Sequence, residues 1–222
     1  MIWEALQITF LLAAVTTVNL VIIGIPLAYV LANTKSRLKP VIEAIVTLPL
    51  ILPPTVLGFY MLIAFGKSGW PGRWLHDVLG IELVFTFSGL VVASVIYSLP
   101  FMVQPLQSGF EQLPGKYREA SLCLGKSAWE TFYRVELPNI KPALLSAIVL
   151  SFAHTIGEFG VVLMIGGNLP GKTKVASIAV YEAVEGMDYS RAHYLSLILL
   201  LISFLILLLV YRLNKNRLKI VS

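Results

Sequence analysis

The stretch Ala5–Ala32 reads ALQITFLLAAVTTVNLVIIGIPLAYVLA and holds no charged residue. At roughly 1.5 Å of rise per helical residue it can cross about 30 Å of hydrocarbon. Four further runs are built alike: Val41–Phe65, Leu83–Leu106, Ala143–Ile165 and Tyr194–Tyr211. Lipid offers no water to an open backbone, so such runs must be helical. The composition agrees, with 57% hydrophobic and 13% charged residues, against about 25% charged in soluble domains. The expected fold is an all-α polytopic membrane protein, a single domain over residues 1–222 with about five spans. The chain opens Met1-Ile2-Trp3-Glu4 without a basic leader, so the first run reads as a span, kinked at Pro26, and not as a cleaved signal peptide.

The net charge of +5 is distributed by topology. Lys35, Arg37, Lys39, Lys116, Arg118, Lys126, Arg134, Lys141, Arg212, Lys215, Arg217 and Lys219 fall in one set of loops. The opposite loops hold Lys67, Arg73, Lys172, Lys174 and Arg191. Loops rich in Lys and Arg stay in the cytoplasm, which puts the N-terminus outside and the C-terminus inside. Nucleic acid needs no place in this account. Cys123 is the sole cysteine, so no internal disulfide can form.

Polar features inside the apolar runs mark candidate sites. Thr16, Thr17 and Asn19 are placed to bond across a helix interface, at about 1 kcal/mol each or less. Pro53 and Pro54, followed by Thr55, interrupt the second run; they form either a packed kink or part of a transport path. The third run is expected to end near Pro100 and Pro105, with Ser98 and Gln104 as polar members. In the fourth, His154 and Glu158 lie four apart beside Ser151 and Thr155, a spacing that shares a helix face. They either bond neighbouring helices or line a path. The fifth run, aliphatic from Leu195 to Val210, is expected to face lipid. Outside, Trp70 and Trp74 fit an interfacial belt. Lys174–Glu185, with Val175, Ile178, Ala179 and Glu182, suggests an amphipathic helix on the membrane surface.

Residues 113–138 form a polar insert. Leu113-Pro114-Gly115 signals a turn, and a helix is expected over Lys116–Leu124, stopped by a left-handed Gly125. Ser127-Ala128-Trp129-Glu130 has capping-box spacing and opens a second helix that Leu137-Pro138 ends. Asn139 and Pro142 then start the fourth span.

Gly166-Gly167-Asn168-Leu169-Pro170-Gly171-Lys172-Thr173 matches the G-x-x-x-x-G-K-T phosphate loop. That motif needs a strand before it and an α/β domain around it. Here a spanning run precedes it and the charge pattern puts it outside, so ATP binding by this chain is not expected. Nor is a catalytic set or a metal site, since His76, His154 and His193 are far apart.

The insert Glu119-Ala120-Ser121-x3-Gly125-x9-Val135-x-Leu137-Pro138 resembles the EAA loop of ABC importer permeases, E-A-A-x3-G-x9-I-x-L-P, with Ser121 for Ala and Val135 for Ile. Residues 48–59, Gly157-Glu158-Phe159-Gly160 and Ile165–Gly171 are similar to molybdate permeases, to which tungstate and sulfate permeases are related. The resemblance implies a type I importer transmembrane domain in a prokaryotic cytoplasmic membrane, working as a homodimer. Its partners would be two ATP-binding cassette subunits and an extracytoplasmic oxyanion-binding protein that carries most of the selectivity. No cofactor is expected on this chain; ATP-Mg would sit on the ATPase subunit. Coupling is expected from Arg118, Glu119, Ala120, Ser121, Leu124 and Gly125, with Glu119 orienting the helix and Gly125 setting the bend. Pro53, Pro54, Thr55, Ser151, Thr155 and Glu158 are the pathway or gate candidates. Because an ionised Glu158 repels a divalent oxyanion, its role is packing or gating. A stand-alone secondary transporter or channel would need coupling-ion sites or repeated halves, and a membrane-embedded enzyme a paired catalytic set; none of these is visible.

Overall fold

A computed structural model describes residues 2–218. The first helix, α1 (Ile2–Asn33), passes Pro26 without a break. Next come α2 (Lys39–Ile51) and α3 (Pro54–Phe65), which meet at an angle of 113° around Leu52-Pro53. The expected second span is therefore two half-helices. Neither Pro53 nor Pro54 can donate a backbone N–H, so the ladder ends there.

A short α4 (Trp70–Leu79) precedes the long α5 (Phe87–Glu111). Trp70 and Trp74 are exposed on α4. The third run differs from expectation at both ends. Its helix starts at Phe87, not Leu83, because the Thr86 hydroxyl accepts the Gly89 N–H at 3.1 Å and caps it. Phe85 just before has φ +62. The helix also does not end near Pro100 and Pro105 but runs through both. Met102, Val103 and Leu106 are fully buried beyond Pro100, and their packing against α1 holds the helix where two backbone donors are missing.

The polar insert folds as α6 (Gly115–Cys123) and α7 (Ala128–Thr131), then a π-helical turn (Phe132–Glu136) and α8 (Leu137–Asn139). Leu137-Pro138 thus does not end the second helix. The widened turn sends the Leu137 N–H to Phe132 O. The Asn139 side chain donates to Val135 O at 2.7 Å, so the chain passes the proline without losing its direction. The bend comes at Ile140, where α9 (Lys141–Gly157) leaves at 73° with Pro142 in its first turn.

The fourth run is also divided. Helix α9 stops at Gly157, Glu158 is extended (φ −65, ψ 133), and α10 (Gly160–Gly166) follows. Glu158 therefore sits at the break, not one helical turn above His154 on a common face. Apolar residues continue through the break, so hydropathy alone does not reveal it. The close approach of Gly160 to α3 does: a Cβ there would stand 2.8 Å from Pro54 Cβ.

Helix α11 (Ala176–Glu185) buries Ala176, Ile178, Ala179 and Ala183 within the protein. Its apolar face packs on α1 and α12 (Tyr189–Leu218), which corrects the expectation of a helix lying on the membrane surface. Asp188 starts α12 by accepting the Arg191 N–H at 3.0 Å, several residues before the apolar run begins. Along α12, Leu200, Leu201, Phe204 and Leu205 are exposed, as a lipid-facing helix requires. Val210 and Tyr211, the end of the expected span, lie on this helix.

Among the described residues, three helical stretches, Ile2–Asn33, Phe87–Glu111 and Tyr189–Leu208, are each long and apolar enough to cross a membrane, and the two bent pairs bring the number to as many as five. Helix α5 is the centre, flanked by α1 and α9. One apolar cluster joins Leu20, Ala28 and Leu31 to Met102, Leu106, Phe110, Phe132 and Ala147. The other joins Leu12 to Leu90, Ala93, Val161, Ile165, Val175 and Ile178. Between them along α1, α5 and α9 fall Thr16, Thr17, Ser94, Ser98, Ser151 and Thr155, all buried. Thr16 and Thr17 make no hydrogen bond across the interface, and Asn19 bonds its own helix at Val15 O. At these three positions of α1 the expected polar bridges are not made.

Candidate functional site

Two regions carry the residues singled out by sequence. The first is the hairpin α6–α7. Its bend is a left-handed Gly125 (φ +75). Lys126 N–H reaches Ser121 O at 3.2 Å and Gly125 N–H reaches Leu122 O at 2.9 Å, the paired bonds of a Schellman stop. Ser127 and Glu130 then form both halves of the capping box. A residue with a side chain at Gly125 would be held in a disfavoured conformation.

The two faces of this hairpin differ. On the inner face, Ser121 Oγ lies 2.9 Å from Thr131 Oγ1, and both residues are buried. Arg118 donates to Asn33 Oδ1 at 3.0 Å, and the Tyr29 hydroxyl donates to Glu136 Oε2 at 3.0 Å. The Tyr29 ring meets Phe132 and Phe110 edge-on at 4.8 and 5.2 Å. Of the expected coupling residues, Arg118 thus ties the hairpin to the end of α1, and Ser121 ties its two helices to each other. The outer face carries Glu119, Ala120, Leu124 and Gly125, all exposed, with Leu122, Trp129 and Tyr133 beside them. Leu124 is 80% and Trp129 68% exposed, and Lys116, Glu119, Lys126 and Arg134 are exposed on the same hairpin. Large apolar side chains exposed in this way are a feature of interaction surfaces.

Sequence reading missed the anchors Tyr29, Asn33, Thr131 and Glu136. The available signal was Tyr29 and Asn33, polar groups four apart at the end of an apolar run and hence on one helix face.

The second region is a cavity of about 400 Å³ at the meeting of the two helix breaks. Pro54 and Thr55 line it from α3, Tyr97 from α5, and Ala153, His154, Gly157, Glu158, Phe159 and Gly160 from α9 and α10. Of the pathway candidates it therefore unites Pro54, Thr55 and Glu158, with Pro53 adjacent in the chain. Ser151 and Thr155 are not part of its wall. Both are buried in the α9–α5 interface, where Thr155 Oγ1 contacts Ser98 Oγ at 3.3 Å and its own helix at Ser151 O. His154 Nδ1 lies 2.9 Å from Ser98 Oγ, and its ring stacks on Phe101 with centroids 4.0 Å apart. Glu158 is 3% exposed and neither carboxyl oxygen has a hydrogen-bond partner.

The phosphate-loop match has a different use. It follows helix α10, not a strand. Thr173, fully buried, donates from Oγ1 to Gly166 O at 2.6 Å and accepts the Leu169 N–H at 3.0 Å. Its hydroxyl closes the loop on itself and is not presented to a phosphate or a metal.

Several known proteins are similar to this chain over most of its length. A family profile of binding-protein-dependent transport system inner membrane components matches residues 24–217. The molybdenum transport system permease protein ModB of Azotobacter vinelandii is 50% identical over 208 residues, covering 93% of this chain and 92% of that one. The sulfate transport system permease protein CysT of Escherichia coli is 33% identical, over 91% of this chain and 73% of that one. Among solved structures, a chain of the inward-facing MetNI methionine ABC transporter superposes with a TM-score of 0.69 at 19% identity, covering 97% of this chain and 93% of that one. A chain of a bacterial alginate ABC transporter, in complex with its periplasmic protein, gives 0.77 at 16% identity, covering 96% and 78%. At those identities the structures speak for the fold, a type I ABC importer transmembrane domain. The profile match and the identity to ModB speak for descent: this chain belongs to the family of binding-protein-dependent transport system inner membrane components.

Proposed function

We propose that this chain is the permease subunit of an ATP-driven importer that moves molybdate across a prokaryotic cytoplasmic membrane. The observation that carries it is the 50% identity to a molybdenum permease over nearly the whole length of both chains. The hairpin supports the transport mechanism. Its inner face is pinned to α1 and α5 and its outer face is apolar and exposed, so a force applied to the outer face reaches the spans.

In this reading two copies of the chain, each a single domain, meet two ATP-binding cassette subunits. An extracytoplasmic binding protein delivers the oxyanion and supplies most of the selectivity. The N-terminus lies outside and the C-terminus inside. Glu119, Ala120, Leu124 and Gly125 meet the ATPase subunit, while Arg118 and Ser121 transmit the motion inward. The chain hydrolyses nothing and binds no cofactor; ATP-Mg sits on the partner. Pro53, Pro54, Thr55 and Glu158 border the path at the helix breaks, with Ser151 and Thr155 supporting it from behind.

Similarity to sulfate permeases at 33% identity supports a second cargo reading. The test is uptake by the complete importer reconstituted with its ATPase subunit and binding protein. Molybdate uptake above that of sulfate is expected; uptake of sulfate alone overturns the assignment. Failure to co-purify with any ATPase subunit would return the chain to the class of stand-alone transporters.

A further inference from the structure

The second span is broken at Leu52 and Pro53, both extended (ψ 137 and 134), and its two halves are attached to the protein in different ways. Helix α3 is fitted to α10 by shape. A Cβ at its Gly58 would stand 2.9 Å from Met164 Cβ and 3.1 Å from Val161 Cα, and one at Gly160 would meet Pro54. Met61 of α3 is buried in the apolar cluster that holds Val161 and Ile165. Contacts this close do not slide past one another.

Helix α2 is attached by a row of polar side chains. It packs on α5, and of its 13 residues only Val46 and Pro49 are buried. Lys39, Glu43 and Thr47 are four apart and share one face of α2; Glu111, Gln107 and Gln104 share one face of α5. The two rows meet antiparallel. Lys39 Nζ donates to Glu111 Oε1 at 2.9 Å, Gln107 Nε2 to Glu43 Oε1 at 2.6 Å, and Gln104 Nε2 to Thr47 Oγ1 at 3.2 Å. Gln107 Nε2 also donates to Glu111 Oε1 at 2.9 Å, and Lys39 Nζ lies 3.7 Å from Glu43. One cation and one amide thus hold together two carboxylates that would otherwise repel across the interface.

None of these six side chains is buried. Water can therefore replace each bond at small net loss, whereas parting an apolar contact exposes surface that water does not compensate. Charged and amide groups within a membrane domain face the bundle interior or a watery route. The first turn of α3 lines the cavity with Pro54 and Thr55, so α2 continues from the cavity wall towards the Lys- and Arg-rich end of the chain's spans.

We propose that α2 is a releasable arm: the pairs Lys39–Glu111, Glu43–Gln107 and Thr47–Gln104 hold it on α5 in one stage of the transport cycle and part in another, with the extended Leu52-Pro53 link as the hinge. The six side chains are positioning residues. They set where α2 lies relative to the cavity, while α3 stays with α10. The proposal deepens the importer reading and rests on it.

The test uses the complete importer in proteoliposomes. Thr47→Cys and Gln104→Cys are combined in a chain carrying Cys123→Ser, whose own uptake is the reference, and are joined by a short, reducible thiol cross-linker. Compared with single-cysteine chains treated alike, joining should lower uptake by at least about tenfold with the ATPase subunit still bound, and reduction should restore it. Unchanged uptake in the joined protein overturns the proposal, because a permanent strut tolerates the link. A second arm leaves the cysteines alone. Lys39→Glu gathers three carboxylates at the end of the row and should raise the ATP consumed per oxyanion imported by about fivefold; adding Glu111→Lys should bring the ratio back to within about twofold of wild type. A ratio that Lys39→Glu does not move, or that the exchanged pair does not recover, overturns the proposal. Unaltered complex that takes up no oxyanion overturns the importer reading instead.

Discussion

The hairpin at residues 115–139 and the cavity at the two helix breaks are built by opposite rules. The hairpin satisfies its backbone locally. Its Schellman stop, capping box and π-turn supply partners within a few residues, and its side chains pin it to Tyr29 and Asn33. The cavity leaves polar groups unsatisfied and interrupts two helices where helical bonding would be simplest. A part that transmits force must be stiff, and a part that lets an ion through must have more than one acceptable arrangement. Local completeness in one place and incompleteness in the other are what the proposed division of labour requires.

The largest effects are expected at the outer face of the hairpin. Glu119→Lys reverses a charge on the rim of the exposed patch, and Gly125→Leu forces a branched side chain into φ +75, which costs about 1–2 kcal/mol. Both should abolish uptake and release the ATPase subunit in co-purification, while the permease itself stays folded. Retention of both binding and uptake would break the assignment of this face. Next in size is Gly160→Val. A Cβ there meets Pro54 Cβ at 2.8 Å and Thr55 N at 3.2 Å, and such overpacking costs about 1–3 kcal/mol. Uptake should fall severely with ATPase binding unchanged, the reverse of the hairpin pattern. Loss of ATPase binding as well would show that the two regions are not separable.

Much of the hairpin was legible in the sequence because its signals are local. Gly125 at a C′ position, and Ser127 three residues before Glu130, each specify a bond by spacing alone. The long apolar runs were legible for the same reason, although their ends were not: Thr86 and Asp188 set helix starts through caps that hydropathy does not register. The break at Glu158 was hidden because Phe159, Val161 and Val162 continue an apolar pattern on both sides. It is imposed by tertiary contact, Gly160 against Pro54. The same is true of α11, whose apolar stripe fits a membrane surface as well as a protein core until its neighbours are known. The roles of Ser121 and Arg118 depended on direction, which motif spacing does not carry. Ser121 faces Thr131 and Arg118 faces Asn33, so both take part in holding the hairpin together or in place.

That distinction between anchors and contacts can be sharpened with Tyr29→Phe. The change removes the hydroxyl that donates to Glu136, itself only 4% exposed, and a buried acceptor left without its donor costs about 1–3 kcal/mol. The aromatic packing against Phe110 and Phe132 remains. ATPase binding should persist, while ATP consumed per oxyanion imported rises several-fold, because the hairpin moves without carrying α1 with it. An unchanged ratio would mean that the apolar contacts alone transmit the motion.

The smallest effect is expected far from both regions, at the segment joining α3 to α5. Lys67 Nζ lies 2.8 Å from Glu82 and His76 Nδ1 lies 3.5 Å from it, around a second cavity of about 400 Å³. The hydrogen bond and charge of Lys67 hold the Glu82 carboxyl below its usual range, and Glu82 in turn raises Lys67. A depressed carboxyl contributes stability above its unfolded value and loses it as pH falls through the folded one. The pair should therefore be intact at neutral pH and weaken below about pH 4. Both side chains are largely exposed, so solvent screens the attraction and the gain is small. Hydrogen-exchange protection over residues 67–82 should drop by less than about threefold on acidification, and Glu82→Gln should remove even that drop. A large acid-induced loss that persists in Glu82→Gln would place the sensitivity elsewhere in the outer segment. If uptake changed as well, the division between a stiff coupling hairpin and a yielding cavity would have to include a third, external part.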